Sequence, residues 1–186
     1  MFLNEEYWHI RSVIVEKAEQ LYTELIAPVE ARMIRTIGRI ISGPEDAADT
    51  LQQALLQVWN NLEKIVRQPN PQAYILRLCI NAAYDFCRKN SIHAGKRVET
   101  DLENSIHSGN RQPDKEADAR EQEQLVIQTI MTLPRQQAQA VILRIVHEEP
   151  FAVIAGVLDC DEQTARSHVS KGKAALRTLL MNRDEL

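Results

Sequence analysis

The chain has 186 residues, a formal charge of −4 and 44% hydrophobic residues, which is enough for one domain or two small ones with packed cores. Its few glycines and scarce β-branched runs argue against a sheet-rich fold. No apolar run approaches the about 18 residues that a membrane span needs, so no membrane insertion is expected.

Taken in order, a first helix is expected over residues 5–25 and a second after Pro28. Ser42, Gly43 and Pro44 then interrupt the chain. From 46 to 62, Ala47, Leu51, Ala54, Leu55, Val58 and Leu62 recur at the spacing of three and four that marks one face of a helix. The opposite face holds Asp49, Gln52, Gln53, Leu56 and Asn60, with Leu56 apolar among polar neighbours. Pro69 and Pro71 break the pattern again. A fourth helix is predicted over 71–89, with Pro71 suited to its first turn, where a missing N–H costs nothing.

That fourth helix has two distinct sides. Ile75, Leu78, Cys79, Ala82 and Phe86 are expected inside, while Tyr74, Arg77, Asn81, Tyr84 and Arg88 form a stripe on the other side. Rings on which bases stack, arginines for phosphates and an amide for a base edge suit a single nucleic-acid strand. The same composition suits a solvated face whose two tyrosines rest on neighbouring helices.

Residues 91–121 are rich in Ser, Gly, Asn, Pro and charge, with isolated apolar residues at Val98, Leu102 and Ile106, and read as a flexible linker. The chain thus divides into an N-terminal helical domain, 1–90, the linker, 91–121, and a C-terminal helical domain, 122–186. The expected fold class is all-α, two small helical domains joined by a flexible linker.

In the second domain a helix is expected after Leu133 and Pro134, burying Ala138, Val141, Ile142, Ile145 and Val146 until Glu149 and Pro150 stop it. A short helix over 151–158 follows. Asp159, Cys160 and Asp161 form the turn, Asp159 being a residue type that tolerates a left-handed backbone and Asp161 a helix cap. The next helix buries Ala165, Val169, Gly172 and Leu176. Its other face presents Gln163, Arg166, Ser167, Ser170 and Lys171, flanked by Lys173 and Arg177, and no Asp or Glu occurs between 163 and 183. This is a helix-turn-helix whose second helix suits a major groove. Three cysteines, Cys79, Cys87 and Cys160, without a close pair or a secretory leader, fit a reducing cytoplasm. No nucleophile–base pair, metal cluster or phosphate loop is legible. No catalytic residue, metal or cofactor is therefore expected, and the protein is not expected to be an enzyme.

Two groups of segments resemble bacterial sigma factors of the extracytoplasmic-function (ECF) group, which keep the modules called region 2 and region 4. DAADTLQQALLQVW (46–59) and PQAYILRLCINAAYDFCRK (71–89) are similar to region 2; LPRQQAQAVILRIV (133–146) and FAVIAGVLDCDEQTARSHVSKGKAALR (151–177) are similar to region 4. The resemblance implies a role for each set of residues. Asp49, Gln52, Gln53 and Leu56 would dock on the β′ coiled coil of core RNA polymerase. Asn70, in the loop over 64–71, with Tyr74, Arg77, Asn81, Tyr84 and Arg88, would meet the −10 element and its melting strand. Gln163, Arg166, Ser167, Ser170, Lys171, Lys173 and Arg177 would bind the −35 element. The implied partners are core polymerase, through its β′ coiled coil and β flap, promoter DNA and, as for many of the group, an anti-sigma factor. Two other readings remain: a helix-turn-helix regulator acting without polymerase docking, and a helical protein-interaction module.

Overall fold

The computed structural model describes residues 19–97 and 115–184, all of whose regular structure is helical. Most of the first expected helix, and residues 98–114 of the expected linker, lie outside the described residues. A π-type turn, α1 (Tyr22–Ile26), leads into α2 (Glu30–Ile40), α3 (Pro44–Asn60), the short α4 (Leu62–Val66) and the long α5 (Pro71–Arg97). The second half comprises α6 (Lys115–Thr132), α7 (Arg135–Ile145), α8 (Phe151–Leu158) and α9 (Glu162–Asp184).

Local chemistry sets most boundaries. Pro44 occupies the first turn of α3, and Glu45 and Asp46 beside it complement the positive end of the helix dipole. Asn70 caps α5: its side-chain oxygen accepts the Ala73 N–H at 3.0 Å. Asp159 is left-handed, with φ 56°, and the Cys160 N–H bonds back to the Ala155 carbonyl at 3.0 Å, closing α8. Asp161 accepts the Thr164 N–H at 2.7 Å and the Thr164 hydroxyl at 2.9 Å, opening α9. The bond from the Thr164 backbone, and then its hydroxyl, hold the Asp161 carboxyl below its usual range. The turn and the cap therefore form as the sequence foretold.

Four expectations need correction. Both helices bordering the linker extend into it, α5 to Arg97 and α6 from Lys115. The first half of α6 is polar and charged, so its sequence shows no helical periodicity there; among the described side chains, Ile127, Ile130 and Met131 are buried near the C-terminal end. Leu55 and Ile145, both assigned inside, are 38% and 48% exposed. Each lies at the margin of its helix's apolar stripe, where the neighbouring helix decides burial. Thr50, meanwhile, is buried on α3.

The core is shared between the two halves. α5 is the spine: Ala73, Ile75, Leu76, Leu78, Cys79, Ile80, Ala82 and Ala83 are buried on nearly all sides of it. It packs against α2 and α3 on one side and α7 and α8 on the other, which is why it shows little amphipathicity. Burial pushes the Cys79 thiol up to about 12, leaving it inert at neutral pH.

At Gly172, α9 packs tightly against Val141 of α7. A Cβ there would stand 2.5 Å from Val141 Cγ2, on a β-branched side chain with little rotamer freedom. Alanine is the better helix former by about 1 kcal/mol, yet overpacking costs about 1–3 kcal/mol. Gly172→Ala is expected to lower the thermal unfolding midpoint, and Val141→Ala in the same chain to recover part of the loss.

Candidate nucleic-acid interface

The recognition helix presents its basic face outward. On α9, Gln163, Arg166, Ser170, Lys171, Lys173 and Arg177 are exposed and Ser167 is half-buried. Ala165, Val169, Gly172 and Leu176 face inward, as their spacing required. Arg166 pairs with Glu162 at 3.2 Å, one turn back, and stacks over the Phe151 ring. The remaining cations on this face leave it positive, the condition for approaching phosphate.

The stripe on α5 is placed differently. Tyr74 is buried, Arg77, Asn81 and Tyr84 are half-buried, and only Arg88 is exposed. Their partners come largely from the second half of the chain. Arg77 donates to the Val157 carbonyl near the end of α8 and stacks over Tyr74 at 5.3 Å. The Asn81 side-chain oxygen accepts from the amide of buried Gln139 and, at 3.5 Å, from Arg135. Tyr84 donates its hydroxyl to the Leu133 carbonyl at 2.9 Å, and Arg135 covers its ring at 4.9 Å while pairing with Asp85. The expected open strand-binding face is therefore an interface within the chain. Rings, guanidinium groups and amides satisfy a helix surface as readily as a nucleic-acid strand, so composition alone could not choose between them. Asn70, expected at the same element, has its side-chain oxygen engaged in capping α5.

Three residues central to this arrangement were not foreseen: Asp85, Arg135 and Gln139. The available signal was weak. Asp85 follows Tyr84 directly and lies one helical turn beyond Asn81, while Arg135 and Gln139 share a face of α7.

A second contact joins α2 to the turn after α7. Arg32 pairs with the mostly buried Glu149 at 2.7 Å, and Thr36 meets His147 Nε2 at 2.9 Å. The Thr36 hydroxyl already donates to the Arg32 carbonyl, so its oxygen accepts here and His147 Nε2 carries the proton. The cleft beside them, about 370 Å³, is lined by Arg32, Arg35, Arg39, Glu148 and Glu149. Glu148 makes its turn with φ 57°. Burial first, and then the charges of Arg32, Arg39 and Arg35, push His147 down to about 4. An unfolded histidine titrates near 6.5. Between those values the unfolded chain binds the extra proton, so this contribution to stability is complete above pH about 6.5 and is lost as pH falls toward 4. Accordingly, the thermal midpoint should fall more between pH 7 and 4.5 in the native chain than in His147→Gln, whose amide keeps a donor for Thr36.

On α3, Asp49, Gln52, Gln53 and Leu56 are all exposed, as expected. Leu56 has company: Trp59 is 56% exposed, as is Leu56 itself, and Leu55 adjoins them. The spacing of 52, 56 and 59 places Trp59 on the same face, a signal the sequence carried. An exposed Leu–Leu–Trp patch bordered by Asp49 and two glutamines has the anatomy of a protein-docking surface.

No helix of the described residues is long and apolar enough to cross a membrane. Nor do the described residues contain a cluster of three or more His, Cys, Asp or Glu able to hold a metal.

A helix-turn-helix with an exposed basic recognition helix, beside a helical unit bearing an apolar docking patch, defines a DNA-binding protein that also engages a protein partner. Residues 25–92 match the family model for sigma-70 region 2, and residues 123–176 match that for sigma-70 region 4. The chain belongs to the sigma-70 family of RNA polymerase sigma factors, within the ECF group. It is 21% identical over 173 residues to the ECF RNA polymerase sigma-E factor of Escherichia coli strain K12, covering 87% of this chain and 88% of that protein. It is 25% identical over 163 residues to the RNA polymerase sigma-E factor of Streptomyces coelicolor, covering 88% of each. Its fold is similar to the sigma factor RpoE from Bartonella quintana, solved in complex with the anti-sigma factor NepR. That likeness has a TM-score of 0.52 and 19% identity, and covers 89% of this chain and 97% of that one.

Proposed function

We propose that this chain docks on core RNA polymerase and directs promoter-specific transcription initiation through two DNA-reading modules, without bond chemistry of its own. The observation that carries this reading is the exposed Leu55, Leu56 and Trp59 patch on α3, in one chain with the exposed basic face of α9. A regulator acting by itself needs the second feature and not the first. Residues 1–90 form the docking and −10 module and 122–186 the −35 module, joined by 91–121, into which α5 and α6 extend.

Asp49, Gln52, Gln53 and Leu56, joined by Trp59, meet the β′ coiled coil. Gln163, Arg166, Ser167, Ser170, Lys171, Lys173 and Arg177 meet the −35 element. The β flap takes the C-terminal module. Tyr74, Arg77, Asn81, Tyr84 and Arg88, with Asn70 at the helix start, meet the melted −10 strand. Because the α5 stripe is covered by α7 and α8, strand capture requires the two halves to separate first. Docking on polymerase supplies the free energy, since a partner that binds only the separated state shifts the population toward it. A net charge of −4 disfavours unassisted binding to duplex, and tethering two readers on one polymerase raises their effective concentration. Work beside polymerase places the protein in the cytoplasm. The Bartonella neighbour was solved with an anti-sigma factor, which favours such a partner here as well.

The test is run-off transcription with purified core polymerase and a promoter library, alongside a pull-down of core enzyme. Promoter-dependent transcripts are expected only with both proteins present, and Arg166→Ala with Lys171→Ala should remove dependence on the −35 sequence. Tight binding of the isolated chain to promoter duplex at physiological salt, with no initiation by core enzyme, would instead establish an independent regulator.

A further inference from the structure

Phe151 is the first residue of α8, outside the recognition helix, and is half-buried. The Arg166 guanidinium carbon lies 4.3 Å from the centre of its ring, and that of Arg144 lies 4.9 Å away. Arg144 is itself anchored, donating to the Glu149 carbonyl at 3.0 Å. Arg166 is thus held at two points: its guanidinium carbon over the Phe151 ring and one nitrogen by Glu162 at 3.2 Å. The carboxylate contact is a surface pair between side chains one turn apart, which by itself fixes an arginine weakly. The ring restricts the guanidinium plane without consuming any of its N–H donors.

We propose that Phe151 is a positioning residue for promoter reading: it orients the Arg166 guanidinium so that its free N–H edge meets one base pair in the major groove. The proposal rests on the reading that α9 binds the −35 element. Fork-like pairing of arginine with a guanine edge depends on the orientation of the guanidinium plane. A freely rotating Arg166 would still attract phosphate, so loss of the ring should reduce discrimination between bases more than overall affinity.

The experiment uses holoenzyme assembled from core polymerase and the full chain, with a promoter selected from a library by the native protein. Run-off rates are measured on every single-base-pair substitution across the −35 element. Arg166→Ala identifies the base pair at which discrimination is lost. Phe151→Leu, which keeps an apolar side chain but no ring, should lower the discrimination ratio at that same base pair by about twofold to fivefold, the worth of an exposed cation–π contact. Ratios at other positions should be unchanged. Phe151→Trp, with a stronger π face, should retain discrimination. In an Arg166→Lys background, which keeps the charge but loses the planar group, Phe151→Leu should have no further effect on the ratio. An equal fall at all positions would make Phe151 merely structural and overturn the proposal, as would unchanged ratios. If Arg166→Ala itself leaves every ratio unchanged, the −35 reading of Arg166 fails and this inference fails with it.

Discussion

Replacing Arg135 with Glu is expected to part the two helical halves. Arg135 pairs with Asp85, reaches Asn81 and covers the Tyr84 ring, so a single reversal of charge affects three contacts. Both charged side chains are about two-fifths exposed, which limits the ion pair to roughly 1 kcal/mol after screening. Loss of the ring contact adds about 0.5–1 kcal/mol, and repulsion from Asp85 adds a further increment. The total, on the order of 2 kcal/mol, changes the ratio of closed to open chains roughly 30-fold. Donor–acceptor labels on α2 and α8 should report a longer mean separation, and small-angle scattering a larger radius of gyration. Asp85→Arg in the same chain, restoring an opposite-charge pair, should bring both back. An unchanged label separation in Arg135→Glu would mean that burial of Leu133, Val157 and their neighbours holds the halves together without this contact.

The second large effect is on docking. Trp59→Ala or Leu56→Glu should weaken binding to core polymerase by about 30-fold or more, because a central aromatic or aliphatic anchor commonly contributes about 2 kcal/mol or more. Both residues are more than half exposed in the free chain, so the thermal midpoint should barely move. Competition binding with labelled core enzyme checks the first expectation and calorimetry the second. Arg166→Ala provides the contrast: it should leave polymerase affinity intact while damaging promoter selection. A Trp59 variant that kept native affinity would place the polymerase contact elsewhere on the chain.

These two experiments address different surfaces, and the surfaces differed in how plainly they could be read. The helix-turn-helix was legible because local rules agree there. The Asp159 turn, the Asp161 cap and the buried series Ala165, Val169, Gly172 and Leu176 each follow from a few neighbouring residues. The exposed apolar patch on α3 was half legible. Leu56 stood out as apolar among polar residues, whereas the exposure of Trp59 on the same face emerged only from the packing. The α5 stripe was legible as a specialised face, while its occupant was not. Tyr74, Arg77, Asn81 and Tyr84 can receive a nucleic-acid strand or a second helical unit, and their composition is common to both.

Spacing and near-neighbour chemistry, though not enough for α6 or the far end of α5, were enough for most of the helices, their order, the cap and turn that aim α9, and the family to which the two modules belong. Those features depend on spacing and on residues a few positions apart. The packing of distant helices leaves the basic face of α9 open and closes most of the α5 stripe. The contacts responsible, Arg77 with Val157, Tyr84 with Leu133 and Asp85 with Arg135, join residues at least 49 positions apart. Each partner is separately compatible with solvent, so no periodicity requires the pairing. It arises because α5 is apolar on nearly all sides and must be covered twice, by α2 and α3 on one side and by α7 and α8 on the other.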